Sequence, residues 1–142
     1  MPIAPPGKET AAAPTFFERA GGEQGIRAAV QPLYERLFAD PMVGFLFAGH
    51  DLQRIVDQQV IFTSRMLGAD VPYEGKPLPE AHQASPILPG HFDRRHWLLR
   101  EVLLSRGMEE SAREAWLRLD LALRPVILKQ GRVRIEKLRQ LR

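Results

Sequence analysis

The sequence predicts an all-α domain, and three features point to it. Apolar residues recur at spacings of three and four along several stretches, and no segment alternates apolar with polar residues. Helix-start signals stand where those stretches begin, at Thr15-Phe16-Phe17-Glu18 and at Asp51. The 142 residues suit a single domain with one core, at roughly 100–200 residues per domain.

Residues 1–14 hold four prolines, a glycine and a run of three alanines, which predicts a disordered leader. The domain is expected over residues 15–128. Thr15 to Glu18 has the spacing of a capping box, opening a short helix that Gly21-Gly22 ends. From Glu23 to Ala39, Ile26, Val30, Leu33, Tyr34, Leu37 and Phe38 share a helical face, with Pro32 expected to kink the helix or delay its start. Asp40-Pro41 signals a turn, and Met42 to Gly49 is a short apolar stretch. Asp51 reads as the N-cap of a helix to about Leu67, with Leu52, Ile55, Gln59, Phe62 and Met66 on its apolar stripe.

Between Gly68 and Gly90 five prolines exclude a long helix, leaving room for a turn or two over residues 79–85. A helix from His91 to Arg106 follows, with Phe92, His96, Leu99 and Leu103 on one stripe. The last helix, Glu109 to Leu128, turns Ala112, Trp116, Leu119 and Leu123 inward, and Pro125 disturbs its end.

Composition narrows the chemistry. The 44% hydrophobic residues are too many for a chain disordered throughout, yet no run reaches the ~18 apolar residues of a membrane span. Neither a secretory signal nor a transit peptide is visible, so a cytoplasmic location is expected. With no cysteine, disulfides, thiolate zinc sites, iron–sulfur clusters and cysteine nucleophiles are excluded. The net charge is +3, of which residues 129–142 carry +5, so residues 1–128 hold −2. A slightly acidic body with a basic tail makes nucleic acid an unlikely partner for the fold itself.

Of the four histidines, His82 lies in the long proline-bounded segment, where a rigid backbone can fix an imidazole as a metal ligand or leave it a surface cap. His91 reads as a helix cap or buttress, and His50 and His96 as structural or surface residues. Tyr34 and Gln59 are polar groups on apolar helix faces. Either they hydrogen-bond each other, or both point into a cavity and donate to a polar ligand. Hydrolytic signatures are weak: Glu109-Glu110 suits a helix start, and Gly21-Gly22-Glu23-Gln24-Gly25 lacks the lysine of a phosphate loop.

Taken in order, Gly21-Gly22-Glu23-Gln24-Gly25-Ile26, Leu33-Tyr34-Glu35-Arg36-Leu37, Ala39-Asp40-Pro41 and Phe45-Leu46-Phe47-Ala48-Gly49 form one pattern with Gln58-Gln59-Val60 and Leu67-Gly68. Pro72-Tyr73-Glu74-Gly75-Lys76-Pro77, Ala81-His82 and His91-Phe92 continue it. The set resembles the truncated haemoglobins, over about residues 15–106. The resemblance implies a two-over-two helical sandwich around haem b, with His82 as the proximal iron ligand and Tyr34 and Gln59 on the distal side. It places Ile55 where many globins have a distal histidine and Phe47 against the haem edge. Leu33, Phe62, Leu78, Ile87 and Phe92 fall at apolar wall positions, and Tyr73 falls near a propionate.

Expected ligands are dioxygen, nitric oxide and carbon monoxide. The family also suggests nitric oxide oxidation to nitrate or peroxide chemistry, with electrons from an external reductase. A ligand sensor or carrier without turnover, or a cofactor-free interaction module using the basic tail, are the alternatives. Two positions depart from the pattern. Arg95 stands where the family has an apolar residue or tryptophan over the distal pocket, so either the helix is shifted or Arg95 turns to a propionate or solvent and Trp97 packs elsewhere. Ala69 replaces the second glycine often found after the long helix.

Overall fold

Helix α1 (Phe16–Arg19) starts as the sequence requires: Thr15 Oγ1 accepts the Glu18 N–H at 3.1 Å, and Glu18 Oε1 accepts the Thr15 N–H at 3.3 Å. The computed structural model describes residues 13–72 and 87–128. Residues 1–12 of the predicted leader, the segment with Tyr73, Leu78, His82 and the short helix over 79–85, and the tail from 129 lie outside them.

Gly21, at φ +97°, turns the chain into α2 (Gly22–Ala39). Pro32 neither breaks α2 nor delays its start. The carbonyl that loses its N–H partner belongs to Ala28, an exposed residue, so water can satisfy it. Asp40 ends the helix, and its Oδ2 accepts the N–H groups of Met42 and Val43 at 2.9 and 3.2 Å. That cap folds the predicted turn into a short 3-10 helix, Gly44–Phe47.

Asp51 caps α3 (Leu52–Met66) as expected, its Oδ1 accepting the Gln53 and Arg54 N–H groups at 3.0 and 3.3 Å. The fully buried face is not the predicted stripe, however. Val56, Val60, Thr63 and Ser64 are buried, whereas Leu52, Ile55, Gln59, Phe62 and Met66 are half-buried beside them. The buried face packs with Ile26, Val30 and Leu33 of α2, which rotates the predicted stripe off the tightest contact. Ser64 satisfies its hydroxyl on the Val60 carbonyl at 2.6 Å.

Helix α4 (Pro89–Ser105) starts two residues earlier than the spacing predicted, because Pro89 suits the first helical turn. It packs on α2 and on α5 (Glu110–Ala122). In α5 Ala112 and Trp116 point inward as expected, but Leu119 is only half-buried and the stripe continues through Asp120. The helix breaks at Leu123 and resumes over 124–128. Trp116, Leu99 and Leu103 join Val56, Val60 and Leu33 in the main core, while Phe92, Ile127 and Leu128 form a smaller cluster with Ile87 and Leu123. The described residues contain no strand, and no helix among them is long and apolar enough to cross a membrane.

Candidate functional site

Tyr34, near the C-terminal end of α2, is 5% exposed and meets Phe47 edge to face, with centroids 6.0 Å apart at 86°. Phe38 stacks on Phe47 at 4.8 Å. The 3-10 helix carrying Phe47 is anchored by the Asp40 cap, and Asp40 Oδ1 also accepts both Nε and Nη2 of Arg94 from α4, at 3.1 and 2.8 Å. Those Arg94 bonds, with the two backbone N–H groups, hold the Asp40 carboxyl below its usual range against the effect of burial. The turn leading to Phe47 is therefore tied to α4 by a charged clasp.

Leu33, Tyr34, Phe47 and Ile55 belong to the main core or pack against it, and Ile87 and Phe92 belong to the smaller cluster. Phe62 and Gln59 lie on the half-buried stripe of α3 with Ile55. A helix with one sealed apolar face and a second, half-open one alongside is suited to cover a large flat apolar group. Tyr34 and Gln59 make no hydrogen bond to each other, so the structure does not pair them as a helix pin.

Sequence reasoning missed the most polar part of the interior. Asp120 of α5 is 2% exposed, its Oδ1 accepts Nη1 of Arg95 at 2.7 Å, and its Oδ2 lies 2.8 Å from His96 Nδ1. A carboxylate only accepts, so His96 donates through Nδ1–H. The His96 ring also lies parallel to that of Phe92, 6.3 Å away. Burial opposes the charge on Arg95, but Asp120 and the nearby Tyr34 hydroxyl outweigh it and raise its pKa. Burial opposes the Asp120 carboxylate as well, and Arg95 with the His96 bond holds its pKa below the ordinary range.

Of the alternatives the sequence left open for Arg95, the turn to solvent does not hold, because its guanidinium pairs with the buried Asp120. Trp97 does pack elsewhere, 45% exposed beneath the Arg94 guanidinium at 5.0 Å. His96, expected to be structural or surface, is structural: half-buried and hydrogen-bonded to Asp120. The available signal was Asp120 itself, four residues after Trp116 and eight after Ala112 on the inward stripe. His91 is the predicted cap: its Nδ1 accepts the Leu88 N–H at 3.1 Å. An open groove of about 460 Å³ bordered by Gln24, Arg27, Gln31 and Arg106 includes none of the predicted site residues.

Comparison with known proteins gives the family and the fold. The family model for bacterial-like globins matches residues 15–126. The group 1 truncated hemoglobin GlbN of Mycolicibacterium paratuberculosis is 30% identical over 94 residues, which are 66% of this chain and 69% of that protein. The group 1 truncated hemoglobin of Tetrahymena pyriformis is 35% identical over 79 residues, 56% of this chain and 65% of its own. The crystal structure of that Tetrahymena protein in its Fe(III) form superposes with a TM-score of 0.75 at 29% identity, covering 81% of this chain and 98% of that one. The hemoglobin of Chloroflexus aurantiacus gives 0.72 at 29% identity, with the same coverage.

Proposed function

The chain belongs to the bacterial-like globin family, and from that premise we propose that it binds dioxygen, nitric oxide and carbon monoxide at a haem held by His82. The cofactor is haem, in keeping with the family and with the two-over-two globin architecture. Haem b, held by His82, would supply an iron able to bind a diatomic ligand. The supporting observation is the half-buried stripe of Ile55, Gln59 and Phe62 lying along a sealed helix face.

On this reading Phe47, Ile55, Phe62, Leu33, Phe92, Ile87 and Leu78 exclude water, Tyr73 contacts a propionate, and Tyr34 and Gln59 offer neutral donors to the ligand. Neutral donors suit a ligand with partial negative charge and slow its release. The protein acts in the cytoplasm on this reading.

The test is the visible spectrum of the purified protein, ferric, ferrous and with carbon monoxide, beside His82→Ala. A Soret band that shifts with carbon monoxide and is lost or strongly altered in the variant supports the reading. A helical protein that takes up no haem when supplied with it ends that reading and leaves a cofactor-free helical module. With haem present, a stable dioxygen complex marks a carrier or sensor. Its decay on adding nitric oxide, yielding nitrate and needing one electron per turnover from a reductase, marks an enzyme.

A further inference from the structure

Two neutral donors were the expected polar groups of the ligand side, and the structure adds a permanent cation next to one of them. Arg95 lies close enough to the Tyr34 hydroxyl for the two to interact, and it is held there by Asp120 through a single contact, Nη1 to Oδ1 at 2.7 Å. The second carboxylate oxygen is taken by His96 at 2.8 Å, so Asp120 does not grip the guanidinium with both oxygens. Arg94 on the preceding position shows the contrast, spending both Nε and Nη2 on Asp40. A guanidinium has five N–H donors in a rigid fork. Arg95 therefore keeps donors beyond its Asp120 contact, on a side chain that is still 25% exposed.

We propose that Arg95 makes the ligand pocket selective for small monoanions, its fork donating to an anion bound beside Tyr34. The inference rests on the haem reading above. Asp120 and His96 position the fork and stop it from swinging to solvent, while Tyr34 shares the anion. A charged donor binds an anion more strongly than a neutral one, and discriminates it from an uncharged ligand of similar size.

The experiment titrates the ferric haem protein with azide and fluoride, and the ferrous protein with carbon monoxide, reading each affinity from the Soret band. Arg95→Leu is compared with Arg100→Leu, which removes the same charge from an exposed position of the same helix. Arg95→Leu/Asp120→Leu is included because it leaves no lone charge in the interior. The proposal expects the ratio of anion to carbon monoxide affinity to fall at least ~10-fold in both Arg95 variants and to hold in Arg100→Leu. An unchanged ratio in the Arg95 variants, or an equal fall in Arg100→Leu, overturns it while leaving the haem reading intact. Wild-type protein without haem would end both, a result distinguishable at the first spectrum.

Discussion

Arg95 and Asp120 meet at 2.7 Å across the seam between α4 and α5, with the carboxylate 2% exposed and the guanidinium side chain 25% exposed. Removing one member of such a pair leaves an uncompensated interior charge, which costs about 3–5 kcal/mol, whereas replacing both with apolar residues is often close to neutral. Asp120→Leu is expected to lose that much stability in chemical denaturation followed by circular dichroism. The double Arg95→Leu/Asp120→Leu protein should recover most of it. Equal losses in the single and double variants would show that packing volume, not charge pairing, governs this seam.

Asp120 and Asp40 set the response to acid. Burial works against ionised Asp120, and Arg95 with His96 overcomes it; at Asp40 the Arg94 bonds are the main cause. Both folded pKa values are lowered, so the stability these groups contribute is fully present above the unfolded value of about 3.9 and is lost as pH falls through the folded values. Denaturation midpoints should therefore drop steeply below about pH 4. Asp120→Asn, less stable at neutral pH, should show a shallower acid loss. If the two proteins lose stability in parallel below pH 4, Asp120 titrates normally in the folded chain.

Local chemistry made most of the helix boundaries legible. Thr15 with Glu18, Asp51 and Gly21 each act within a few residues of themselves, and the structure uses each as its spacing suggested. Which helix face is sealed was less legible. Val56 and Val60 are as apolar as Ile55 and Phe62, and only the approach of α2 decides between the two stripes of α3. Pro32 misled for a related reason, since its cost depends on whether the carbonyl of Ala28 reaches water. The Arg95–Asp120–His96 cluster was beyond local reading because its partners lie 24 and 25 residues apart on separate helices. Tyr34 stood out as a polar residue on an apolar face, but nothing in its own neighbourhood announced the cation beside it.

Backbone crowding near the start of α2 gives a sharp contrast between two glycines. A Cβ on Gly25 would lie 1.9 Å from the Ala20 carbonyl oxygen, whereas one on Gly90 would meet nothing within 4 Å. Gly25→Ala must push the α1–α2 corner apart, at a cost of about 1–3 kcal/mol or more by analogy with overpacked cores. Gly90→Ala, in the first turn of α4, should be neutral or stabilising by up to ~1 kcal/mol through a less flexible unfolded chain. Thermal melts of the two variants check this, and a Gly25→Ala protein as stable as the wild type would contradict the close approach.

Tyr34→Phe isolates the hydroxyl from the ring. The edge-to-face contact with Phe47 at 6.0 Å needs only the aromatic ring, so packing of the phenylalanine side chain stays as it is. On the haem reading proposed above, what disappears is one donor to the ligand, worth about 1–1.5 kcal/mol when neutral, and every 1.4 kcal/mol is a factor of ten. Dioxygen release, followed by stopped-flow mixing of the oxygenated ferrous protein, is expected to accelerate about tenfold. Gln59→Leu should act in the same direction from α3, and the double variant should release faster than either single one. Carbon monoxide release should change much less, because that ligand carries less negative charge for a donor to stabilise. If dioxygen release is unaltered in both single variants, Tyr34 and Gln59 do not face the ligand, and the polar contact must come from elsewhere in the pocket.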